Sequence, residues 1–258
     1  MMKLLFIGPH PDDIEFTCAG TCKRAVDLGW DVHELLMTSD EYGTPRNEFK
    51  GKRIKQIRVH EMIVAAKEYG TNLNGRPKIQ LHWFGEIDGH LRFNNEVLEK
   101  LKQFIRDLQP RVVIAPDSFF TMDYHPDHMR TGWLAYIAVK TMPPAERPLL
   151  LLYHSTANDF YIPVHDLAIK TAAWSKHRSQ ITPLASKLVG KAHVFLYLLR
   201  RRKTGVEIAE GFRRARFAKG ENEVTGLYQR VWRCFFYRGN KGFPPEYYLP
   251  TPEVLGLR

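Results

Sequence analysis

Five short apolar runs, at 4–7, 32–37, 79–84, 111–115 and 149–154, punctuate the first 155 residues of this 258-residue chain. Helix-like segments separate them. The first run, Leu4-Leu5-Phe6-Ile7, reads as a buried parallel strand. Between the runs, 16–28, 53–69, 95–108 and 127–141 are spaced as helices. In 53–69 the residues Ile54, Ile57, Met62, Ala65 and Ala66 share a face. Gly29 and Gly70 are natural stops for the first two helices, and the third ends before Pro110. This alternation predicts an α/β fold: a Rossmann-like, mostly parallel sheet with helices on both faces, plus an irregular C-terminal extension. We expect a single domain over 1–258, with 1–155 as the α/β core and 156–258 as a helical and irregular region completing the site.

If the strand order is the common 3-2-1-4-5, strands one and four are neighbours where the order reverses. Ligands bind beyond the carboxyl ends of the strands at such a point. Strand one runs into Gly8-Pro9-His10-Pro11-Asp12-Asp13-Ile14-Glu15, and strand four is followed by Tyr124-His125-Pro126-Asp127-His128. The topology therefore brings two histidine- and aspartate-rich loops together. No Gly-x-Gly-x-x-Gly follows the first strand, which disfavours a dinucleotide.

Adjacent carboxylates raise each other's pKa unless a positive group holds them, and a divalent cation does so at least cost. The two loops supply a two-histidine, one-carboxylate set with a spare carboxylate beside it. That is the composition of a hydrolytic zinc site with an open coordination position. Such a set leaves the ion net positive and can bring the pKa of its water from ~15.7 towards ~7. Spacing alone does not decide which of Asp12 and Asp13 ligates. His125 lies three residues before His128, so both rings can approach from one side if that segment opens a helix. Glu15 and Asp127 each suit either a helix start or an outer hydrogen bond to the site.

The chain resembles the LmbE-like or PIG-L-like zinc deacetylases, which act on N-acetylglucosamine conjugates. The resemblance rests on His10-Pro11-Asp12-Asp13, Arg58-x-x-Glu61, Asp88-Gly89, His125-Pro126-Asp127-His128, His177-x-Ser179-Gln180 and Glu210-Gly211-Phe212-Arg213. It implies one zinc per chain on His10, Asp13 and His128. It implies Asp12 as the general base, and His125 as the group that stabilises the oxyanion or donates a proton. It further implies Arg58 and Asp88 on the sugar, with His177 lining or buttressing the site. Tyr124 is a candidate oxyanion donor at a spacing slightly different from the family's.

Composition bounds the remaining choices. No stretch reaches the roughly 18 apolar residues of a membrane span. The N-terminal apolar segment is too short for a secretory signal. The odd count of three cysteines argues against a disulfide framework and fits a cytoplasmic location. Cys18 and Cys22 read as small buried thiols. A net charge of +10 attracts anionic substrates or surfaces. No zinc-finger, RRM or KH pattern accompanies it, so no nucleic acid is expected.

The expected partner is an amino-sugar conjugate, and an anionic or lipid-linked one is compatible, as is a homo-oligomer. The apolar stretch 188–199 meets Arg200-Arg201-Arg202-Lys203, with Arg213, Arg214, Arg216 and Lys219 beyond. It reads as a buried helix with a solvated end, or as a lobe recruiting anionic substrate. Two other functions compete. A non-haem iron oxygenase uses the same ligand types. A basic module binding nucleic acid or anionic lipid, with a vestigial metal site, is the alternative outside enzymes.

Overall fold

The computed structural model describes residues 1–44, 47–121, 123–166, 168–181, 205, 208–218, 221, 226, 227 and 231. The strands are β1 (Lys3–Gly8), β2 (Asp31–Thr38), β3 (Gln80–Glu86), β4 (Val112–Pro116), β5 (Leu149–Tyr153), β6 (Phe160–Pro163) and β7 (Ala209–Arg214). They form one seven-stranded sheet of order β3-β2-β1-β4-β5-β7-β6. β1 to β5 pair in parallel, and β7 runs antiparallel to both β5 and β6. The expected 3-2-1-4-5 order is therefore present, extended by an antiparallel pair where irregular chain was expected.

The helices are α1 (Asp13–Thr17), α2 (Ala19–Asp27), α3 (Lys52–Glu68), α4 (Asn95–Leu108), α5 (Pro126–Lys140) and α6 (Ala168–Trp174). Side chains alternate across β1, which fills both faces of the sheet. Leu5 and Ile7 join the core with residues of α4 and α5, while Leu4 and Phe6 join the core containing Ile14, Cys22 and Ala66. Cys18 and Cys22 are fully buried in the second core, as small apolar thiols should be.

The first expected helix, 16–28, is in fact two. Cys18 leaves helical geometry between α1 and α2. The start of α2 is held from the far end of the chain, because Glu210 of β7 accepts from Gly20 N at 3.1 Å and from Thr21 N at 2.8 Å. Those are first-turn N–H groups with no partner inside the helix. Lys170 of α6 stands 3.4 Å from the same carboxylate.

Arg213, grouped by the sequence with a solvated basic cluster, is buried. Its Nε and Nη2 donate to Asp117 at 2.7 and 3.0 Å, so its charge serves the sheet rather than the surface. The stretches 188–199 and 200–203, and Lys219, lie outside the described residues.

Helix α5 carries the second histidine motif and lies unusually near β4. A Cβ added at Gly132 would fall on Ser118 Oγ and come within 2.5 Å of the Pro116 carbonyl oxygen. Only glycine permits that approach. Among the described residues, no helix is long and apolar enough to cross a membrane.

Candidate metal centre and active site

The loops leaving β1 and β4 meet above the carboxyl ends of the strands, where the sheet order reverses. There His10, Asp12, Asp13, Asp88, His125 and His128 line one cavity of about 630 Å³. Six of the nine residues singled out in the sequence are thus brought together.

Two ring nitrogens and the two oxygens of one carboxylate lie close together. His10 Nδ1 lies 3.2 Å from His128 Nε2 and 3.5 Å from Asp13 Oδ2, and His128 Nε2 lies 3.4 Å from Asp13 Oδ1. Donors at ~2.0–2.1 Å from a tetrahedral zinc stand about 3.3 Å apart. The spacings of this set are of that size. His125 brings a further ring nitrogen within 4.8 Å of those on His10 and His128.

The other ring nitrogen of each of these two histidines lies against carboxylates. His10 Nε2 contacts Asp88 at 3.1 Å and Asp127 at 3.4 Å, while His128 Nδ1 stands 2.9 Å from Asp123. These contacts fix the ring orientations and make the inward nitrogens more basic. Asp127 therefore takes the outer role, and it also accepts from Gly89 N at 2.7 Å. Burial alone would push both histidines down. For His10 it is outweighed by Asp127, Asp13 and Asp88, and for His128 by Asp13 and Asp123, so both are pulled up. Burial also opposes ionisation of Asp13, yet His128 and His10 hold its carboxyl well below the usual range. The cluster favours positive charge at its centre.

Asp12 is set apart from this group by its backbone. Its φ of 111° lies in the left-handed region, a strained geometry for a non-glycine residue. Asp13 turns inward and accepts from His10 N at 2.8 Å, while Asp12 turns to Arg58, whose Nη2 stands 3.0 Å away. Burial raises the Asp12 pKa, and Arg58 opposes it. The net rise makes this carboxylate a stronger base than a solvated one.

Three expected residues lie behind the cavity wall. Arg58 is fully buried: besides Asp12 it donates to the Pro11 carbonyl and lies 2.5 Å from Asp40 Oδ2. Its charge is committed to the protein's own carboxylates. His177 is also fully buried, with Nε2 3.7 Å from Glu15 Oε2, so it buttresses α1 from below. Tyr124 is partly buried against the core containing Trp133.

The cavity also contains Asp40, Tyr42, Asp123 and Gln180, which the sequence analysis did not select as site residues. His154 stacks on His128 at 6.4 Å, and burial, followed by His128, pushes its imidazole down to about 4. Asp40 and His154, like Asp12, have positive φ. Asp40 and His154 follow β2 and β5 at the same end of the sheet, which was the signal available. Asp123 precedes His125 by two residues and accepts from its backbone N at 2.9 Å.

The family model for GlcNAc-PI de-N-acetylase (PIG-L) matches residues 5–139, which include both histidine loops. The chain belongs to the PIG-L family. A curated relative, diacetylchitobiose deacetylase of Thermococcus kodakarensis, is 29% identical over 193 residues, covering 69% of this chain and 70% of that protein. The fold is similar to N,N'-diacetylchitobiose deacetylase from Pyrococcus horikoshii, with a TM-score of 0.72, 28% identity and 83% of each chain covered. It is also similar to the conserved protein TT1542 from Thermus thermophilus, with a TM-score of 0.66 and 30% identity over 83% of this chain and 94% of that one. Within the PIG-L family, the histidine–aspartate cluster of this chain is its candidate catalytic centre.

Proposed function

We propose that the protein is a zinc-dependent N-deacetylase that hydrolyses the acetamide of an N-acetylglucosamine-type conjugate. The observation that carries this reading is the close grouping of His10, Asp13 and His128, whose ring nitrogens and carboxylate oxygens approach to 3.2–3.5 Å, with a separate carboxylate beside it. Bound there, zinc would supply Lewis acidity and a water whose pKa falls towards ~7. Asp12 accepts a proton from the attacking water and returns one to the departing amine. Its raised pKa and its tether to Arg58 suit both halves of that cycle. His125 stands at the cavity mouth, stacked edge-on against His10 at 5.0 Å, and donates a hydrogen bond to the developing oxyanion. Asp88, Asp40, Tyr42 and Gln180 offer polar atoms to the sugar hydroxyls. The chain is proposed to act in the cytoplasm, consistent with its buried free thiols Cys18 and Cys22.

The spare carboxylate favours hydrolysis over the iron oxygenase alternative, and the reaction should run without oxygen. The basic-module reading gains nothing at the site, whose walls are acidic. The deciding experiment assays free-amine release from a panel of N-acetylglucosamine conjugates, using chelator-treated protein with and without added zinc. Zinc-restored amine release supports the proposal. No release from any conjugate at any zinc concentration would overturn it.

A further inference from the structure

A second cavity, of about 610 Å³, lies against α3 and is lined by residues of opposite character. Arg53, Ile57, His60 and Val64 recur at i, i+4, i+7 and i+11, so one stripe of α3 forms its floor. Lys176 and Arg178, from the segment after α6, face them. Arg53, His60 and Arg178 make no ion pair among the described residues, and none has an interaction beyond those described. Arg53 lies over the Phe49 ring at 4.3 Å, a stacking that leaves the edge of its guanidinium free to donate. Lys176 shares Glu68 at 2.9 Å. Glu61 is the acidic residue in the lining, and its oxygens are taken by Ser179 N at 2.8 Å and Ser179 Oγ at 2.6 Å.

The catalytic cavity is its electrical opposite. Asp12, Asp13, Asp40, Asp88 and Asp123 line it, with no lysine or arginine among the described residues. The two cavities share one short segment, since Arg178 borders the basic cavity and Gln180 the acidic one. Two residues of extended chain span at most about 7 Å. Residues of opposite charge thus line the two cavities on either side of Ser179.

We propose that the α3 cavity is a binding site for a phosphate-type anion, held by Arg53 of α3 and Arg178 of the segment after α6, with His60 and Lys176 as further donors. A carboxylate presents two coplanar oxygens and satisfies one guanidinium fork. A phosphate presents oxygens in several directions and can satisfy forks from two different segments. Ile57 and Val64 supply an apolar floor for whatever carries the anion. The phosphate belongs either to the conjugate whose amino sugar occupies the acidic cavity, which rests on the deacetylase reading, or to a free phosphate ester.

The test titrates inorganic phosphate, at constant ionic strength, into zinc-loaded full-length protein while following the His60 imidazole resonances. Wild type should show a saturable shift that chloride does not reproduce. Arg53→Gln/Arg178→Gln should bind about tenfold more weakly or worse. Arg178→Lys, which keeps the charge and loses the fork, should fall between the two. A shift linear in concentration in wild type, or equal affinity in the folded double variant, overturns the site.

The source is separated by turnover of a phosphate-bearing N-acetylglucosamine conjugate and of the neutral methyl glycoside. A loss of kcat/KM in the double variant on the former alone assigns the anion to the substrate. Unchanged turnover of both, with phosphate binding lost, assigns it to a free ester. If wild type hydrolyses neither these nor any other conjugate of the panel, the deacetylase reading fails, while the phosphate titration still decides the site.

Discussion

Arg58 Nη2 stands 3.0 Å from Asp12 Oδ2, so the residue assigned as base is held by a cation buried behind the cavity. The same guanidinium meets Asp40 at 2.5 Å and Glu61 at 3.7 Å. Removing one partner of a buried pair typically costs about 3–5 kcal/mol, because the remaining charge stays desolvated. Arg58→Met should therefore lower stability by about that amount in urea unfolding. An unchanged midpoint would show that Asp12 and Asp40 are held by other means.

His10→Ala, Asp13→Ala and His128→Ala should each lose zinc, because two protein donors rarely retain it at a site with an open position. Asp12→Asn should retain zinc and lose about 10²–10⁴-fold in kcat. Metal content and turnover, measured on the same preparations, check both statements. Zinc lost from Asp12→Asn and kept by Asp13→Asn would reverse the roles of the two carboxylates.

Asp123 stands 2.9 Å from His128 Nδ1, on the side of the ring away from His10 and Asp13. Asp123→Asn should weaken zinc binding or activity by about 10–100-fold, as for other carboxylates behind a ligand histidine. Zinc affinity from a competing chelator, measured beside kcat, tests this. Wild-type values for both would leave His128 oriented without it.

Glu210→Ala removes the acceptor for Gly20 N, Thr21 N and Thr21 Oγ1 at the start of α2. Leaving buried donors unmet costs about 1–3 kcal/mol. The thermal midpoint should fall, while kcat of the protein that remains folded should change little. A large kcat effect at unchanged stability would move Glu210 from a supporting role into the site.

The parallel half of the fold was legible because β1, β4 and β5 are buried on both faces and so read as apolar runs. β7 was not legible, because its sequence, Ala209-Glu210-Gly211-Phe212-Arg213-Arg214, spends its charged residues on distant partners. Glu210 and Arg213 look like surface charges until α2 and Asp117 are placed beside them. At the site, the two histidine loops were legible because like-charged groups crowd together in sequence. Asp123, Asp40 and His154 gather only through the shared end of the sheet. For Arg58, the family resemblance implied a contact with the sugar, but only burial reveals that its partners are internal.

The near approach of α5 to β4 at Gly132 has a consequence one turn away. His128 lies four residues before Gly132 and so projects from the same side of the helix. The gap between helix and strand thus sets how far the imidazole reaches towards His10, whose loop belongs to the neighbouring strand. A methyl group at position 132 would act as a spacer, lifting one jaw of a vice. Selection for metal affinity in this chain would then act on a residue with no side chain and no contact with the ion.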